Sequence, residues 1–252
     1  MDARILLVED DPSTMVSVRA VLGSEGLVPT LQEVPKSPEV ATAALKALLN
    51  GVPLRDGFTT ISTAVPPTTQ LLDLTIKNGV ANVDLSTQFD EGGNAASQRY
   101  RLAQVVYTLT QSSNVKSVVF QIEGKTVTVF GSEGIVQAGP VGRADFYDQL
   151  PSIFADRPAY GAALGNPGHV TGCANVFEAT FRIALLDAAG KPIVDDQAMA
   201  SCGTGCRGTF DVTLKYSVAS AQWGTLRAYD PSAKGGTPED IRDYPVWLTP
   251  GG

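Results

Sequence analysis

Between Phe177 and Leu185 the side chains alternate in character. Phe177, Ala179, Phe181, Ile183 and Leu185 are apolar, and Glu178, Thr180, Arg182 and Ala184 stand between them. A period of two puts the first set on one face of an extended chain and the second on the other, so this run predicts a strand with one face in a core. The pattern recurs in Phe210, Val212, Leu214, Tyr216 and Val218, interleaved with Asp211, Thr213, Lys215 and Ser217. Ile193 to Ala200, Thr225 to Tyr229 and Tyr244 to Leu248 read as further strands, and Asp187-Ala188-Ala189-Gly190-Lys191 as a turn. Roughly seven strands with a turn every ten residues or so predict a β-sandwich over 151–252.

The earlier part mixes two periods. Gln70 to Ile76 and Val80 to Leu85 are apolar runs joined through Lys77-Asn78-Gly79, and Asn-Gly in that position predicts a hairpin because both residues accept positive φ. From Asn94 the period lengthens. Leu102, Val105, Val106 and Leu109 fall at i, i+3, i+4 and i+7, predicting an amphipathic helix with Gln98, Arg101, Gln104 and Thr108 facing away. Val115 to Ile122 and Thr126 to Phe130 predict two strands about the turn Glu123-Gly124-Lys125.

Upstream, Ser37 as N-cap and Pro38 in the first turn open another helix, which carries Val40, Ala43, Ala44 and Leu48 on its apolar face and closes at Asn50-Gly51. Gly51 to Pro67 reads as a loop, and Leu27 to Val34 as a strand closed by Pro35. Ser13 to Gly26 reads as a short helix with Val16, Val18, Val21 and Leu22 apolar, and Arg4 to Glu9 as a buried strand. The expected organisation is therefore an N-terminal strand and helix over 1–26 packed on the next domain, an α+β domain over 27–150 with helices packed on a mixed sheet, and an all-β sandwich over 151–252. Arg143 to Leu150 reads as a helical connector whose buried Phe146 and Leu150 would fix the two domains rather than tether them loosely.

Charge narrows the function classes. A net charge of -7 with no basic run argues against nucleic acid and against attachment to anionic lipid through basic residues. No run of about 18 apolar residues is present, so no transmembrane segment is expected. The N-terminus lacks a basic region followed by an apolar stretch and a cleavage site, so membrane anchoring would have to come through a missing N-terminal signal.

Four residues have metal-ligand spacing: His169 with Cys173, and Cys202 with Cys206, would supply a Cys₃His zinc set if the loop 201–208 folded beside the strand at Val170. The same cysteines permit a Cys202–Cys206 disulfide closing a Gly-rich loop, another pairing through Cys173, or free thiols. His169 is the one histidine, and nothing near it reads as a nucleophile elbow or oxyanion helix. Asp84, Asp90, Glu91 and Glu123 offer carboxylates for glycoside cleavage, although solvated turn acids are the simpler reading. No glycine cluster matches a phosphate loop. Arg4 to Glu9 followed by Asp10-Asp11 resembles the start of a response-regulator receiver domain, whose acidic pair helps to hold Mg²⁺. The receiver's phospho-accepting aspartate on a third parallel strand has no counterpart at Asp56 in Leu54-Arg55-Asp56-Gly57.

A more extensive resemblance covers residues 27–150. Leu27-Val28-Pro29, Glu33-Val34-Pro35, Leu48-Leu49-Asn50-Gly51, Thr63-Ala64-Val65-Pro66, the run Asn78 to Ser86, the run Arg101 to Thr110, Val119 to Lys125 and Val129-Phe130-Gly131 together resemble the sporulation and spore-germination domain called GerMN. In that pattern a single short strand precedes Leu27. Gly172 to Phe181, Gly203 to Phe210 and Tyr244-Pro245-Val246-Trp247-Leu248 resemble the immunoglobulin-like domain of bacterial spore-germination proteins.

The two families in this order form a recurring architecture of Gram-positive and actinobacterial envelope proteins. The resemblance thus implies an immunoglobulin-like sandwich at the C-terminal end and no metal, cofactor or catalytic residue. It implies an extracytoplasmic, lipoprotein-like binding or assembly module whose partner is an envelope protein or peptidoglycan. Arg99, Tyr100 and Tyr107 on the rim of the helix from Asn94 are the expected partner surface. Two other functions are carried as alternatives: a wall hydrolase built on surface carboxylates, and a receiver-like signalling protein.

Overall fold

The computed structural model describes residues 15–22, 26–33, 39–51, 61–232 and 235–251. The chain divides into two compact units, one running to Leu27 and resuming over Gln32–Gln149, the other taking Val28–Leu31 and Leu150–Gly252. Arg4 to Asp11, Ser37 and Pro38 lie outside the described residues.

Among the described residues the chain opens on β1 (Met15–Leu22), β2 (Leu27–Glu33), whose Val28–Leu31 belong to the second unit, and β3 (Ile61–Ser62), which pairs antiparallel with β1 in the first. Within the stretch expected to be helix, Ser13 to Gly26, the described residues Met15–Leu22 form a strand. Val16, Val18, Ala20 and Leu22 also fit a period of two, and β-branched valines prefer the extended chain. Among the described residues one strand precedes Leu27, as in the GerMN pattern.

Helix α1 (Val40–Leu49) starts after Glu39 and buries Ala41, Ala44, Leu45, Ala47, Leu48 and Leu49. Its apolar face is rotated from the one expected, leaving Val40 exposed. Gly51, at φ +86, ends it in the left-handed region. The main sheet is ordered β4-β5-β6-β7, from β4 (Leu71–Lys77), β5 (Val80–Leu85), β6 (Ser117–Ile122) and β7 (Lys125–Thr126). Asn78 and Gly79, both at positive φ, make the tight β4–β5 hairpin.

Strands β5 and β6 run parallel, which requires a crossover, and α2 (Ala95–Leu109) supplies it. Val83, Leu85, Val118 and Phe120 of the sheet and Leu102, Val105, Val106 and Leu109 of α2 are all buried. Thr126 to Phe130 is not one strand, because the chain turns away after Thr126 and β8 (Val129–Phe130) pairs with β9 (Ile135–Val136). The sheet is mixed and the helices pack on it, an α+β unit.

The second unit is β-rich. Strands β10 (Ile153–Arg157), β12 (Gly168–Ala174) and β15 (Gly208–Leu214) form one sheet. The other has the order β11-β17-β16-β13-β14, from β11 (Ala163–Leu164), β13 (Thr180–Leu186), β14 (Pro192–Met199), β16 (Gln222–Pro231) and β17 (Pro238–Leu248). One core joins the sheets: Ile153, Val170, Phe210 and Leu214 from the first pack with Phe181, Ile183, Leu226, Tyr244 and Val246 from the second. Strand β13 begins at Thr180, later than the alternation predicts. Phe177–Ala179 is a 3-10 turn in which Glu178 and Ala179 hold φ of 52° and 59°.

Candidate functional site

Helix α2 is buried on nearly its whole circumference from Gln98 onward, and this changes what its polar residues do. Asn94 caps it, its Oδ1 accepting from the Ser97 N–H at 2.9 Å. Gln98, Arg101, Gln104 and Thr108, expected to face solvent, are all buried. Arg101, Gln104 and the Gln98 amide nitrogen are tolerated there because neighbouring loops meet their hydrogen bonds, while Gln98 Oε1 is buried with no hydrogen-bond partner among the described residues.

The Arg101 guanidinium donates to the carbonyls of Ala64 (3.1 Å), Glu91 (3.2 Å), Gly92 (3.4 Å) and, more closely, Phe89. Its carbon lies 5.8 Å from the centre of the Phe89 ring. Gln98 Nε2 donates to the carbonyls of Asp90 (3.1 Å) and Gly92 (2.9 Å). Gln104 Oε1 accepts from the Ala64 N–H at 2.9 Å and the Thr63 hydroxyl at 3.3 Å. Three side chains of one helix therefore fix the loops 63–65 and 89–92. Burial lowers the pKa of Arg101 from its ordinary value, and the Asp90 charge opposes that. The spacing of Gln98, Arg101 and Gln104, three residues apart each time, was the available signal for a second stripe.

The expected partner surface does not survive intact. Tyr107 is 1 % exposed, its hydroxyl donates to the Arg143 carbonyl at 3.2 Å, and the Arg143 guanidinium lies 5.0 Å over its ring. It is a core residue, buried with both its hydroxyl and its ring engaged by Arg143. Arg99 is half-buried and donates to both carboxylate oxygens of Asp148, at 2.6 and 2.7 Å, and to the Asp145 carbonyl. Those bonds hold the Asp148 carboxyl below its ordinary range and the Arg99 guanidinium above its own. Tyr100 is half-buried.

The candidate zinc ligands are dispersed. His169 Nδ1 lies 3.3 Å from the Thr213 hydroxyl and 4.0 Å from Asp211. The Cys173 sulfur lies 3.8 Å from an Arg207 nitrogen. Cys202 and Cys206 are bonded to each other, with Cα atoms 6.0 Å apart. Among the described residues no group of three or more His, Cys, Asp or Glu is placed to hold a metal ion.

The candidate carboxylates act as turn acceptors. Asp84 takes the Gly124 N–H at 2.9 Å, Asp90 the Gly131 N–H at 2.8 Å, and Glu123 the Thr87 N–H at 3.3 Å. Glu91 is exposed.

One end of the second unit presents a surface that the sequence does not announce. The loop closed by Cys202 and Cys206 packs on the turn before β13: Thr204 N–H donates to the Val176 carbonyl (2.9 Å), Glu178 N–H to the Thr204 hydroxyl (3.0 Å) and Gly205 N–H to Asn175 Oδ1 (3.1 Å). A side chain at Gly203 would collide with the backbone of Ala179. The loop thus braces the positive-φ residues Glu178 and Ala179. At this end Phe177 and Met199 stand 66 % and 65 % exposed.

The chain is thus an α+β unit whose polar helix residues serve its own loops, followed by a β-rich unit with a braced apolar end. Residues 18–128 match the Germane family, sporulation and spore germination, and residues 152–237 match Gmad2, the immunoglobulin-like domain of bacterial spore germination. The chain therefore carries a GerMN domain followed by an immunoglobulin-like germination domain.

Among solved structures, the first GerMN domain of the sporulation protein GerM from Bacillus subtilis is 25 % identical, with 52 % of this chain and 98 % of that one covered and a TM-score of 0.46. The tandem GerMN domains of the same protein are 18 % identical, with 80 % of this chain and 61 % of that one covered and a TM-score of 0.47. No curated protein matches the chain. Among the described residues no helix is long and apolar enough to cross a membrane.

Proposed function

We propose that this protein is a non-catalytic module of a bacterial cell envelope that holds an envelope protein or cell-wall polymer during sporulation, germination or a related assembly step. One observation carries the proposal: a Germane domain and a Gmad2 domain occur in one chain, in that order. The use of Asp84, Asp90 and Glu123 as backbone acceptors supports a structural over a hydrolytic role for those acids. The Cys202–Cys206 bond suits an extracytoplasmic, lipoprotein-like setting, where disulfides persist. Phe177 and Met199 supply the apolar contact, because large exposed apolar groups on a braced turn favour association.

Retention from envelope extract, with purified peptidoglycan as a second bait, tests this. The native chain is expected to be retained saturably by one bait, and Phe177→Ala with Met199→Ser to lose at least about tenfold in affinity. Intact mass is expected to rise by two daltons on reduction. Release of soluble fragments from peptidoglycan, or no retention by either bait, would overturn the proposal.

A further inference from the structure

Strand β4 is the edge of the main sheet: among the described residues β5 is its only sheet neighbour. The tight turn at Asn78-Gly79 makes Lys77 and Val80 the closing pair, so Lys77, Thr75 and Asp73 direct their main-chain groups toward β5. Leu74 and Ile76 direct theirs toward the open edge. Their side chains share a face with Val83 and Ala81, the residues they pair with, which are fully buried in the core. Leu74 and Ile76 themselves are only partly covered, and Leu72 is 45 % exposed. Beside them lies an open groove of about 510 Å³, lined by Val40, Ala41 and Thr42 of α1 and by Asn114. The unit thus has an open sheet edge continuous with a groove of mixed lining, in which Glu39, Ser112 and Ser113 stand beside the apolar groups of Leu74 and Ile76.

The edge is complementary to itself. Asp73-Leu74-Thr75-Ile76-Lys77 reads apolar inward from both ends and carries opposite charges at its two limits. An antiparallel neighbour of the same sequence, related by a two-fold axis through Thr75, sets Leu74 opposite Ile76 and Asp73 opposite Lys77, each twice. Leu74 and Ile76 then form the hydrogen-bonded pairs, using the outward main-chain groups of both strands. Their side chains meet on the core face and extend each groove with the other copy's apolar groups. Asp73 and Lys77 meet on the opposite face, at the close spacing of a non-hydrogen-bonded pair. A lysine on an open edge ordinarily repels a neighbouring strand, but in this register it meets a carboxylate.

We propose that this protein associates with a second copy of itself through β4, joining two sheets edge to edge about a two-fold axis at Thr75. An interface of one strand pair and a shared groove is small, so the association is reversible and depends on concentration.

Sedimentation equilibrium of the full chain over a concentration series reads it directly. The native chain is expected to dimerise. Asp73→Lys and Lys77→Asp, each alone, oppose like charges twice and are expected to weaken the dimer by about tenfold or more. An equal mixture of the two variants, and the double exchange Asp73→Lys with Lys77→Asp, are both expected to restore it. Thr75→Cys is expected to give a symmetric cross-link under mild oxidation that the native chain does not, since the Cα atoms of such a pair lie about 4.5 Å apart. Unchanged thermal unfolding separates loss of association from loss of fold. A chain that stays monomeric throughout, or a dimer indifferent to both charge reversals, would overturn the proposal. So would an edge captured only by a different protein.

Discussion

At the scale of single residues, Arg101 is the most consequential side chain in the first unit. The residue is 3 % exposed and its guanidinium donors end on carbonyls of the loops around residues 64 and 89–92. Arg101→Met would keep much of the volume but leave those carbonyls without a donor. It is expected to cost about 3 kcal/mol or more, read as a lowered urea midpoint, and Arg101→Lys to recover only part because an ammonium cannot fork. A midpoint within error of the native value would sink the assignment. Tyr244 makes a separate prediction. Its buried hydroxyl accepts from the Ala155 N–H at 3.2 Å, and burial pushes its pKa from the ordinary 10.0 up to about 12. From pH 10 to about 12 the unfolded chain has lost a proton that the folded chain keeps. Tyr244 therefore contributes stability that is fully present below pH 10 and is lost as pH rises through its folded pKa. Tyr244→Phe is expected to cost about 1–3 kcal/mol at neutral pH, by orphaning the Ala155 N–H, and to flatten the alkaline decline. Denaturant titrations of both proteins from pH 7 to 12 would show parallel slopes if the tyrosine played no such part. Leu102, Val105, Val106 and Leu109 were legible in the sequence because burial follows from apolarity. Arg101, Gln98 and Gln104 were not, because polarity alone does not distinguish a solvated side chain from one satisfied by backbone far along the chain.

At the scale of elements, legibility followed how local the determining interaction is. The β4–β5 hairpin is set by Asn78-Gly79, two adjacent residues with positive φ, and it lies where the sequence puts it. Helix α2 is set by fifteen residues with their own N-cap, and it too is found as expected. The strand at Met15–Leu22 reads as helix in the sequence because Val18, Val21 and Leu22 fall at i, i+3 and i+4, while Val16, Val18, Ala20 and Leu22 equally fit a period of two over so short a window. Phe177 and Ala179 belong to the alternation of β13, yet they turn, because the Ala200 N–H takes the Ala179 carbonyl and the loop 202–206 presses on the turn. Neither partner is near in sequence. The same holds for the candidate sites. Tyr107 flanks the stripe of α2 at a rim position, and only the arrival of Arg143, thirty-six residues on, makes it core. That β4 is an edge strand depends on sheet order, which no pattern within β4 encodes.

At the scale of the whole molecule, the boundary between the two units is not a single cut in the sequence. The second unit takes Val28–Leu31 as well as everything from Leu150. Within it the Tyr160 N–H donates to the Pro29 carbonyl at 2.8 Å, and Thr30 and Tyr160 form a parallel bridge. Val28 and Thr30 are buried. The Gmad2 match begins at 152, so the family's own span omits this segment. A fragment of residues 150–251 should therefore lack one piece of its own fold, with the Tyr160 N–H left without its acceptor. It is expected to unfold at a lower temperature than the second unit does in the intact chain, by several degrees for a loss of about 1–2 kcal/mol in a domain of this size. A peptide of residues 26–33 supplied in excess binds only the folded fragment, so by mass action it should raise the fragment's Tm as its concentration rises. It should leave the intact chain unchanged, because there the position is already filled. A fragment as stable as the intact chain's second unit, or one indifferent to the peptide, would mean that Val28–Leu31 contributes nothing to the sandwich and that the fold is complete from Leu150 onward.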